Sequence, residues 1–297
     1  DTDRSRGLGD VYKRQEHEEF IEQEKFEFWH RFCENKTAVL GLVVLVIIIL
    51  MAILAPLIAD YNQVITQDLS NRTIKPGIEH LFGTDGYGRD TFARTVWGAR
   101  LSLFIAFATI LLACIVGMIL GVICGYFGGT VDAIVMRIVD VFMCLPPLLF
   151  SLSIVSALGN GMWNLILAVG ITMMPYFTRV VRAAVLSVAS MDYIEAARAN
   201  GAHDFYIVTR HIIPNCMGPI IVEATISLSS VIMIAAGLSF IGLGVEPPSP
   251  EWGAMLSDSR EYMRQAPWLV LAPGFAIMVT ALSLIHISEP TRPISIS

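Results

Sequence analysis

The sequence has few charged residues. Asp, Glu, Lys and Arg make up 15% of its 297 residues, whereas hydrophobic residues make up 55%. A typical soluble domain has about 25% charged residues. A chain with so much apolar surface cannot bury it in one aqueous core, so the composition predicts a polytopic membrane protein. The formal net charge of −6 argues against a nucleic-acid partner, because such a protein needs a basic surface to displace counterions.

Several catalytic and ligand-binding motifs are also missing. No GxxxxGK[ST] loop occurs to hold nucleotide phosphates, and no GxSxG occurs to present a nucleophilic serine. The histidines show no HExxH or similar ligand spacing, and the five cysteines show no CxxC pair. We therefore predict no catalytic residue, no metal and no cofactor, and a membrane-embedded enzyme is the weakest of the functional hypotheses.

Long apolar runs indicate an all-α fold with six transmembrane helices. A helix that crosses a bilayer needs about 20 mostly apolar residues. Pro146 and Pro147 fall inside the third run and should kink it, because each removes a backbone donor. The six predicted spans are 38–59, 101–126, 131–158, 162–186, 218–243 and 268–285.

The two ends of the chain differ from the rest. Residues 1–15 and 283–297 resemble translated adaptor sequence, so we predict that both are non-native. Residues 16–37 form a cytoplasmic or interfacial segment, in which aromatic residues around Trp29 favour a short helix in the membrane interface. A disordered acidic tail is the alternative. Residues 38–282 then form one membrane domain.

Gly117, Gly121 and Gly125 are spaced four residues apart in the second predicted span. This spacing puts the three glycines on one helix face, where a second helix can approach closely. The alternative is that they mark a bend or occur by chance.

A polar segment, 192–217, separates the fourth and fifth apolar runs. Residues 193–200 are rich in alanine and favour a helix, and Gly201 can adopt the positive φ that ends it. Asp204 can cap a second helix that continues to about Ile212, and Pro214 marks its end. The pattern predicts two short helices set at an angle beside the membrane.

Within this segment, Glu195, Ala196 and Ala197, followed by Gly201 and the ending HIIPN, resemble the EAA loop of ABC-importer permeases. HLFGTDGYGRDTFARTVWGARLSL from His80, GLSFIGLGVEPPSPEWGAMLSDSR from Gly237 and PWLVLAPG from Pro267 are similar to segments of peptide and nickel importer permeases. The resemblance covers about 29–281. It identifies the chain as a member of the oligopeptide-permease C or dipeptide-permease C class, with the ABC importer type I transmembrane fold.

The resemblance implies a permease subunit that moves short peptides across the bacterial cytoplasmic membrane. The expected partners are a second homologous permease, two cytoplasmic ABC ATPase subunits that supply the energy, and an extracytoplasmic solute-binding protein. Basic residues are divided almost evenly between the two sides, so the orientation rests on the resemblance, which puts the polar segment and the N-terminus in the cytoplasm. The implied ATPase-coupling residues are Glu195, Ala196, Ala197, Arg198, Gly201, Asp204 and Pro214. Among them, Glu195 and Arg198 could form an ion pair at the contact surface.

Charged residues elsewhere have two interpretations each. Asp85, Arg89 and Asp90 lie in the glycine-rich FGTDGYGRD, where they either shape the loop or, as the resemblance suggests, contact the binding protein. Glu223 either faces the translocation path or reaches the cytosolic interface. Arg137 and Asp140 are three residues apart and suit an intrahelical ion pair.

The predicted function also has alternatives. A permease for nickel or another small solute would share the same motifs. An ion-coupled secondary transporter could use Arg137, Asp140 and Glu223 as a relay, although such folds usually show internal repeats and broken helices.

Overall fold

The computed structural model describes residues 33–288, and most of them are helical. Helices dominate because the apolar runs are long and a lipid environment requires backbone groups to bond within the segment. Among the described residues, the only β pairing is an isolated bridge between Thr84 and Asp90. The α-helices are α1 (Lys36–Ile53), α2 (Ala55–Ile58), α3 (Tyr61–Ile65), α4 (Thr91–Phe127), α5 (Gly129–Met143), α6 (Pro147–Leu158), α7 (Met162–Ala189), α8 (Asp192–Ala199), α9 (Asp204–Ile207), α10 (Ile213–Phe240), α11 (Trp252–Ser259) and α12 (Trp268–Ser288).

Five of the helical segments in residues 33–288 are long and apolar enough to cross a membrane, namely α1, α4, α7, α12 and a continuous helix from Asp204 to Phe240. Helices α5 and α6 meet at an angle of 94° and together make a broken sixth span. The break lies where Pro146 and Pro147 were expected to distort the third span. The prediction of six spans is confirmed, with one of them broken.

Contacts at the two ends of the bundle fix the direction of each span. At one end, which we call the loop end, segments 54–90 and 241–267 meet, and the Trp252 Nε1–H donates to the Thr95 carbonyl at 2.9 Å. The Gly161 N–H also donates there, to the Gly244 carbonyl at 3.0 Å. At the opposite end, which we call the elbow end, the polar segment meets the end of α4. The broken span therefore connects the elbow end to the loop end.

Helices α4 and α7 pack along the predicted glycine face. A Cβ atom at Gly117 would overlap the Cβ of Phe177, and one at Gly121 would lie 2.6 Å from the Cβ of Val181. At Gly125 the corresponding distance to the Cβ of Val185 is 2.8 Å. Real Cβ atoms essentially never approach so closely, so only glycine permits this helix separation. The close-approach interpretation of the glycine face is confirmed.

Some predicted features fall outside this description. Residues 1–15, and the predicted interfacial helix around Trp29, lie before the first described residue.

Helix α12 continues past the predicted domain limit at 282 to Ser288, the last described residue. Near its end, α12 packs against Gly41 of α1, so the first and last spans meet at the elbow end.

Candidate functional site

The first helix of the polar segment, α8, presents an exposed polar face and buries one apolar side chain. Ile194 is fully buried, whereas Glu195, Ala196 and Arg198 are exposed. Asp192 and Glu195 stand in its first turn and Arg198 in its last, an order that complements the helix dipole. Of the predicted contact residues in this helix, Glu195, Ala196 and Arg198 are therefore accessible to another molecule, whereas Ala197 is half-buried and packs against an apolar cluster of the bundle.

A tight turn at Gly201 ends α8. Gly201 has φ of +78°, its N–H donates to the Arg198 carbonyl at 2.9 Å, and the Ala202 N–H donates to the Ala197 carbonyl at 3.1 Å. These two bonds form a Schellman motif, which usually needs glycine at the left-handed position. The prediction that Gly201 ends the first helix of the segment is confirmed.

The second half of the segment differs from the prediction at Asp204 and Pro214. His203, not Asp204, holds the N-cap position, and Asp204 is the first residue of α9. Pro214 does not end a helix, because α9 continues through a π-helical turn, Val208–Ile212, into α10. In that turn the Ile213 N–H donates to the Val208 carbonyl five residues back. The wider turn leaves room for the proline ring, which a regular α-helix would exclude.

We call residues 192–212 the elbow. Three isoleucines that are fully buried, Ile194, Ile207 and Ile212, attach it to the bundle. They form one apolar cluster with valines of α4 and α7, including Val122 and Val181. Because burying a side chain of this size is worth about 1.5–3 kcal/mol, the elbow is held firmly to these two helices.

Tyr126 adds a polar attachment that sequence reasoning missed. Its hydroxyl donates to the Asp204 carboxylate at 2.6 Å, and the Arg198 guanidinium lies 4.9 Å from the centre of its ring. Within residues 33–288, no ion pair joins Glu195 to Arg198, although the sequence suggested one. The missed signal was an aromatic residue with a polar tip at the end of an apolar run.

Two exposed aromatic side chains also went unnoticed in the sequence. Phe205 is 80% exposed and Tyr206 54% exposed, and both belong to α9. Aromatic residues are enriched at the centres of protein interfaces. Together with Glu195 and Ala196, they give the elbow an accessible surface of mixed polar and aromatic character.

Asp85 and Arg89 lie buried at the loop end. Arg89 is 2% exposed, and its Nε donates to the Asp85 carboxylate at 2.6 Å. A second buried arginine, Arg94, lies 3.6 Å from the same carboxylate, and Asp258 approaches both guanidinium groups. Asp90 caps α4. These contacts support the structural interpretation of the segment, because the buried groups tie the loops together.

Glu251 is a second buried acid at the loop end. Its carboxylate caps α11 by accepting from the Gly253 and Ala254 N–H groups at 2.9 and 2.8 Å, and it contacts the Ser102 hydroxyl at 3.3 Å. Burial raises the pKa of Glu251 above its ordinary value of 4.5. No role was predicted for this residue, because a lone Glu before a helix has many possible environments.

Glu223 lies in α10 and lines a cavity of about 530 Å³. Its carboxylate accepts a hydrogen bond from the Ser227 hydroxyl at 2.8 Å. The walls come from α6, α7, α10 and α12, and include Leu148, Met173 and Tyr176. The structure places Glu223 in the wall of this cavity, and its predicted place in the translocation path stays a prediction.

The predicted pair between Arg137 and Asp140 is wrong. Asp140 instead accepts from Arg179 of α7 at 2.6 Å. Asp132, in the same helix α5, pairs with Arg182, also of α7. The two acidic groups of α5 therefore connect it to α7, and Asp140 is not joined to Arg137 as the proposed ion relay required.

The chain matches two family models. Residues 117–288 match the model described as "Binding-protein-dependent transport system inner membrane component". Residues 26–76 match "N-terminal TM domain of oligopeptide transport permease C". Together the matches include five of the spans and the elbow.

Named relatives match along most of their length. The chain is 43% identical over 266 residues to "Dipeptide transport system permease protein DppC" of Alkalihalophilus pseudofirmus, covering 90% of this chain and 87% of that one. It is 38% identical to "Di/tripeptide transport system permease protein DppC" of Pseudomonas aeruginosa, covering 87% of each. It is also 38% identical to "Glutathione transport system permease protein GsiD" of Pectobacterium atrosepticum, covering 90% and 88%.

A solved structure has the same fold. A chain of the MetNI methionine ABC transporter, in an inward-facing conformation, superposes with a TM-score of 0.54 and 19% sequence identity. The match covers 68% of this chain and 98% of that chain. At this identity the likeness supports the fold alone.

Proposed function

Because this chain belongs to the family of binding-protein-dependent transport inner membrane components, the permease subunits of ABC importers, we propose that it moves di- and oligopeptides across the bacterial inner membrane. The protein is a multi-pass membrane protein that works with ATPase partners. The relatives are named for dipeptides, di- or tripeptides and glutathione. Short peptides are the substrate class that these names share.

The proposed mechanism rests on the elbow, which is exposed on one side and firmly attached to α4 and α7 on the other. Glu195, Ala196 and Phe205 belong to the exposed surface that docks into the ATPase. The buried isoleucines and the bond between Tyr126 and Asp204 join that surface to α4 and α7. A movement of the ATPase is thereby passed to the spans. ATP can bias the transporter only through contacts that differ between its two states.

This mechanism requires one orientation and a defined set of partners. The elbow end faces the cytoplasm, where the ATPase lies, and the start of α1 is at the same end, so the N-terminus is cytoplasmic as well. The loop end faces outward, towards a solute-binding protein. A second permease and a second ATPase complete a transporter in which two permeases alternate between inward-open and outward-open states.

Two substitutions in the elbow test the proposal. Glu195→Lys reverses the charge of the exposed face. Gly201→Pro replaces a φ of +78° with one near −65° and removes the N–H that donates to Arg198. With the partner subunits co-expressed, both variants should reach the membrane, fail to retain the ATPase during purification and lose ATP-dependent dipeptide uptake.

Glu261→Lys is the matched control, because Glu261 is an exposed acid at the loop end. It should retain the ATPase as the unsubstituted chain does. Normal uptake by both elbow variants would refute the coupling role. A control that lost the ATPase to the same extent would show that charge reversal acts through general instability.

A further inference from the structure

The geometry points to a subsite in the membrane for the protonated α-amino group of the transported peptide, with Glu223 as its anionic partner. This inference rests on the proposed function and adds a specific contact to it. The subsite is the cavity between α6, α7, α10 and α12. A cavity of about 530 Å³ lies within the roughly 300–1,000 Å³ typical of sites for small molecules.

The cavity is mainly apolar, with one carboxylate in its wall. Leu148, Met173, Ile226, Met233 and Ile234 supply apolar surface. Such a lining accepts peptide side chains without demanding particular hydrogen bonds, which suits a transporter for peptides of varied sequence. Specific recognition in this cavity must then come from its few polar groups.

Glu223 has acceptor capacity left for a ligand. Ser227 donates to one carboxylate oxygen, Oε1, at 2.8 Å. Among the described residues, no Lys, Arg or His lies within ion-pair distance of Glu223, in contrast to Asp132 and Asp140, which pair with arginines. Ionisable groups in membrane segments are usually paired or functional. A carboxylate that lines an open cavity and accepts from a neutral hydroxyl suits a ligand that brings its own positive charge.

The neighbouring hydroxyls suit an ammonium group better than a metal ion. An ammonium has three N–H donors, and the cavity offers the Glu223 carboxylate together with oxygens of Tyr176, Ser229 and Ser230. A divalent cation of the calcium type needs six to eight oxygen ligands, usually including several carboxylates. Within residues 33–288, no group of three or more His, Cys, Asp or Glu side chains could hold a metal.

The position of Glu223 connects this subsite to the elbow. Glu223 and Asp204 belong to one continuous helix, and they lie roughly 28 Å apart along its axis at 1.5 Å per residue. Pro147, at the break in the third span, lines the cavity from the opposite side. A tilt of this helix, driven from the elbow, therefore turns Glu223 relative to α6, which changes the subsite as the transporter changes state.

A cysteine at position 230 measures the charge of the cavity without measuring transport. Ser230 is an exposed residue that lines the cavity. The exposed native cysteines, Cys33 and Cys144, are first replaced by serine. Ser230→Cys is then labelled, in the complete transporter in nanodiscs, with cationic and anionic thiosulfonate reagents of similar size.

We expect the ratio of cationic to anionic labelling rates to fall about fivefold or more when Glu223→Gln is added, because the carboxylate attracts the cation. Glu261→Gln, which removes an exposed acid at the loop end, is the control and should leave the ratio unchanged. If the ratio is the same with and without the Glu223→Gln substitution, the assignment of Glu223 as the charged group of this cavity is overturned.

Protection by peptide tests the amino group itself. An excess of alanyl-alanine should slow the labelling of Ser230→Cys, whereas N-acetyl-alanyl-alanine should protect about tenfold less well, because it has no charged donor. Glu223→Gln should abolish the difference and Glu223→Asp should preserve it. Equal protection by the two peptides would overturn recognition of the amino group.

The outcome for this subsite is separable from the outcome for the proposed function. ATP-dependent uptake of alanyl-alanine by the unsubstituted transporter tests the function alone. If that uptake occurs while the labelling ratio and the protection do not depend on Glu223, the subsite is refuted and the function stands. If no uptake of any short peptide occurs, the proposed function fails.

Discussion

Replacing Gly121 with alanine should destabilise the contact between α4 and α7, although the same change usually stabilises a helix. The new Cβ would lie 2.6 Å from the Cβ of Val181 and 2.8 Å from the Thr178 carbonyl oxygen. Ordinary contacts begin near 3.4 Å. Neither neighbouring atom is the end of a flexible side chain, so the two helices must separate.

The size of the effect follows from two opposing terms. Overpacking in a tightly packed interface costs about 1–3 kcal/mol. In the opposite direction, replacing a helical glycine with alanine stabilises the helix by roughly 0.5–1 kcal/mol. The net expectation is a loss of about 1–2 kcal/mol of unfolding free energy, or about 2–6 °C in the midpoint of thermal unfolding. Gly117→Ala should cost at least as much, because its Cβ would lie even closer to that of Phe177.

Gly218→Ala is the matched control, because nothing lies within 4 Å of a Cβ at that position in α10. It should leave the unfolding midpoint unchanged or raise it. Unfolding can be followed in detergent with a dye that fluoresces on reaction with thiols, since Cys124 and Cys216 are buried. A Gly121→Ala protein that melts at or above the temperature of Gly218→Ala would refute the close-approach argument.

The attachments at the two ends of the bundle give three more testable outcomes. Tyr126→Phe removes the hydroxyl that donates to Asp204. The variant should still bind the ATPase but take up less peptide for each ATP hydrolysed. Uptake per ATP equal to that of the unsubstituted transporter would contradict a role of Tyr126 in joining the elbow to the spans. Asp85→Asn removes the carboxylate that two buried arginines share, and should lower the free energy of unfolding by about 3–5 kcal/mol. The control is Asp68→Asn, which should change it little, because Asp68 is an exposed N-cap and asparagine caps helices well. Equal midpoints of thermal unfolding for the two variants would contradict this expectation. Burial raises the pKa of Glu251 above 4.5, so as pH rises the unfolded chain loses this proton before the folded chain does. The free energy of unfolding should therefore fall as pH rises from 4.5 through the raised pKa. Glu251→Gln should remove this pH dependence, and parallel profiles of stability against pH for the two proteins would contradict the argument.

The features predicted well depend on local rules. Gly201 ends a helix because an alanine-rich run meets a residue that tolerates positive φ, and both facts are visible within a few positions. The Gly117 face depends only on spacing by four, although its partner, Phe177, could not be named in advance. The apolar runs located all six spans for the same reason.

The predictions that were wrong depend on contacts between distant parts of the chain. Asp140 pairs with Arg179 because α5 and α7 face each other, which no local pattern encodes. Pro214 lies within a continuing helix because the turn before it widens to a π-helical one. Packing of the elbow against the bundle favours this wider turn over an end of the helix at the proline. Helix α4 starts at Thr91, before its apolar run, because the loop end buries the charged residue Arg94 in its first turns.

The uninterrupted helix from Asp204 to Phe240 has a mechanical consequence. Its 37 residues make a rod about 55 Å long, longer than the hydrocarbon layer is thick. If such a rod tilts by about 10° around its midpoint, each end moves about 5 Å, in opposite directions. One swing at the elbow end would then shift the helix at the loop end without any helix having to bend, and the midpoint, close to Glu223, would turn but hardly travel.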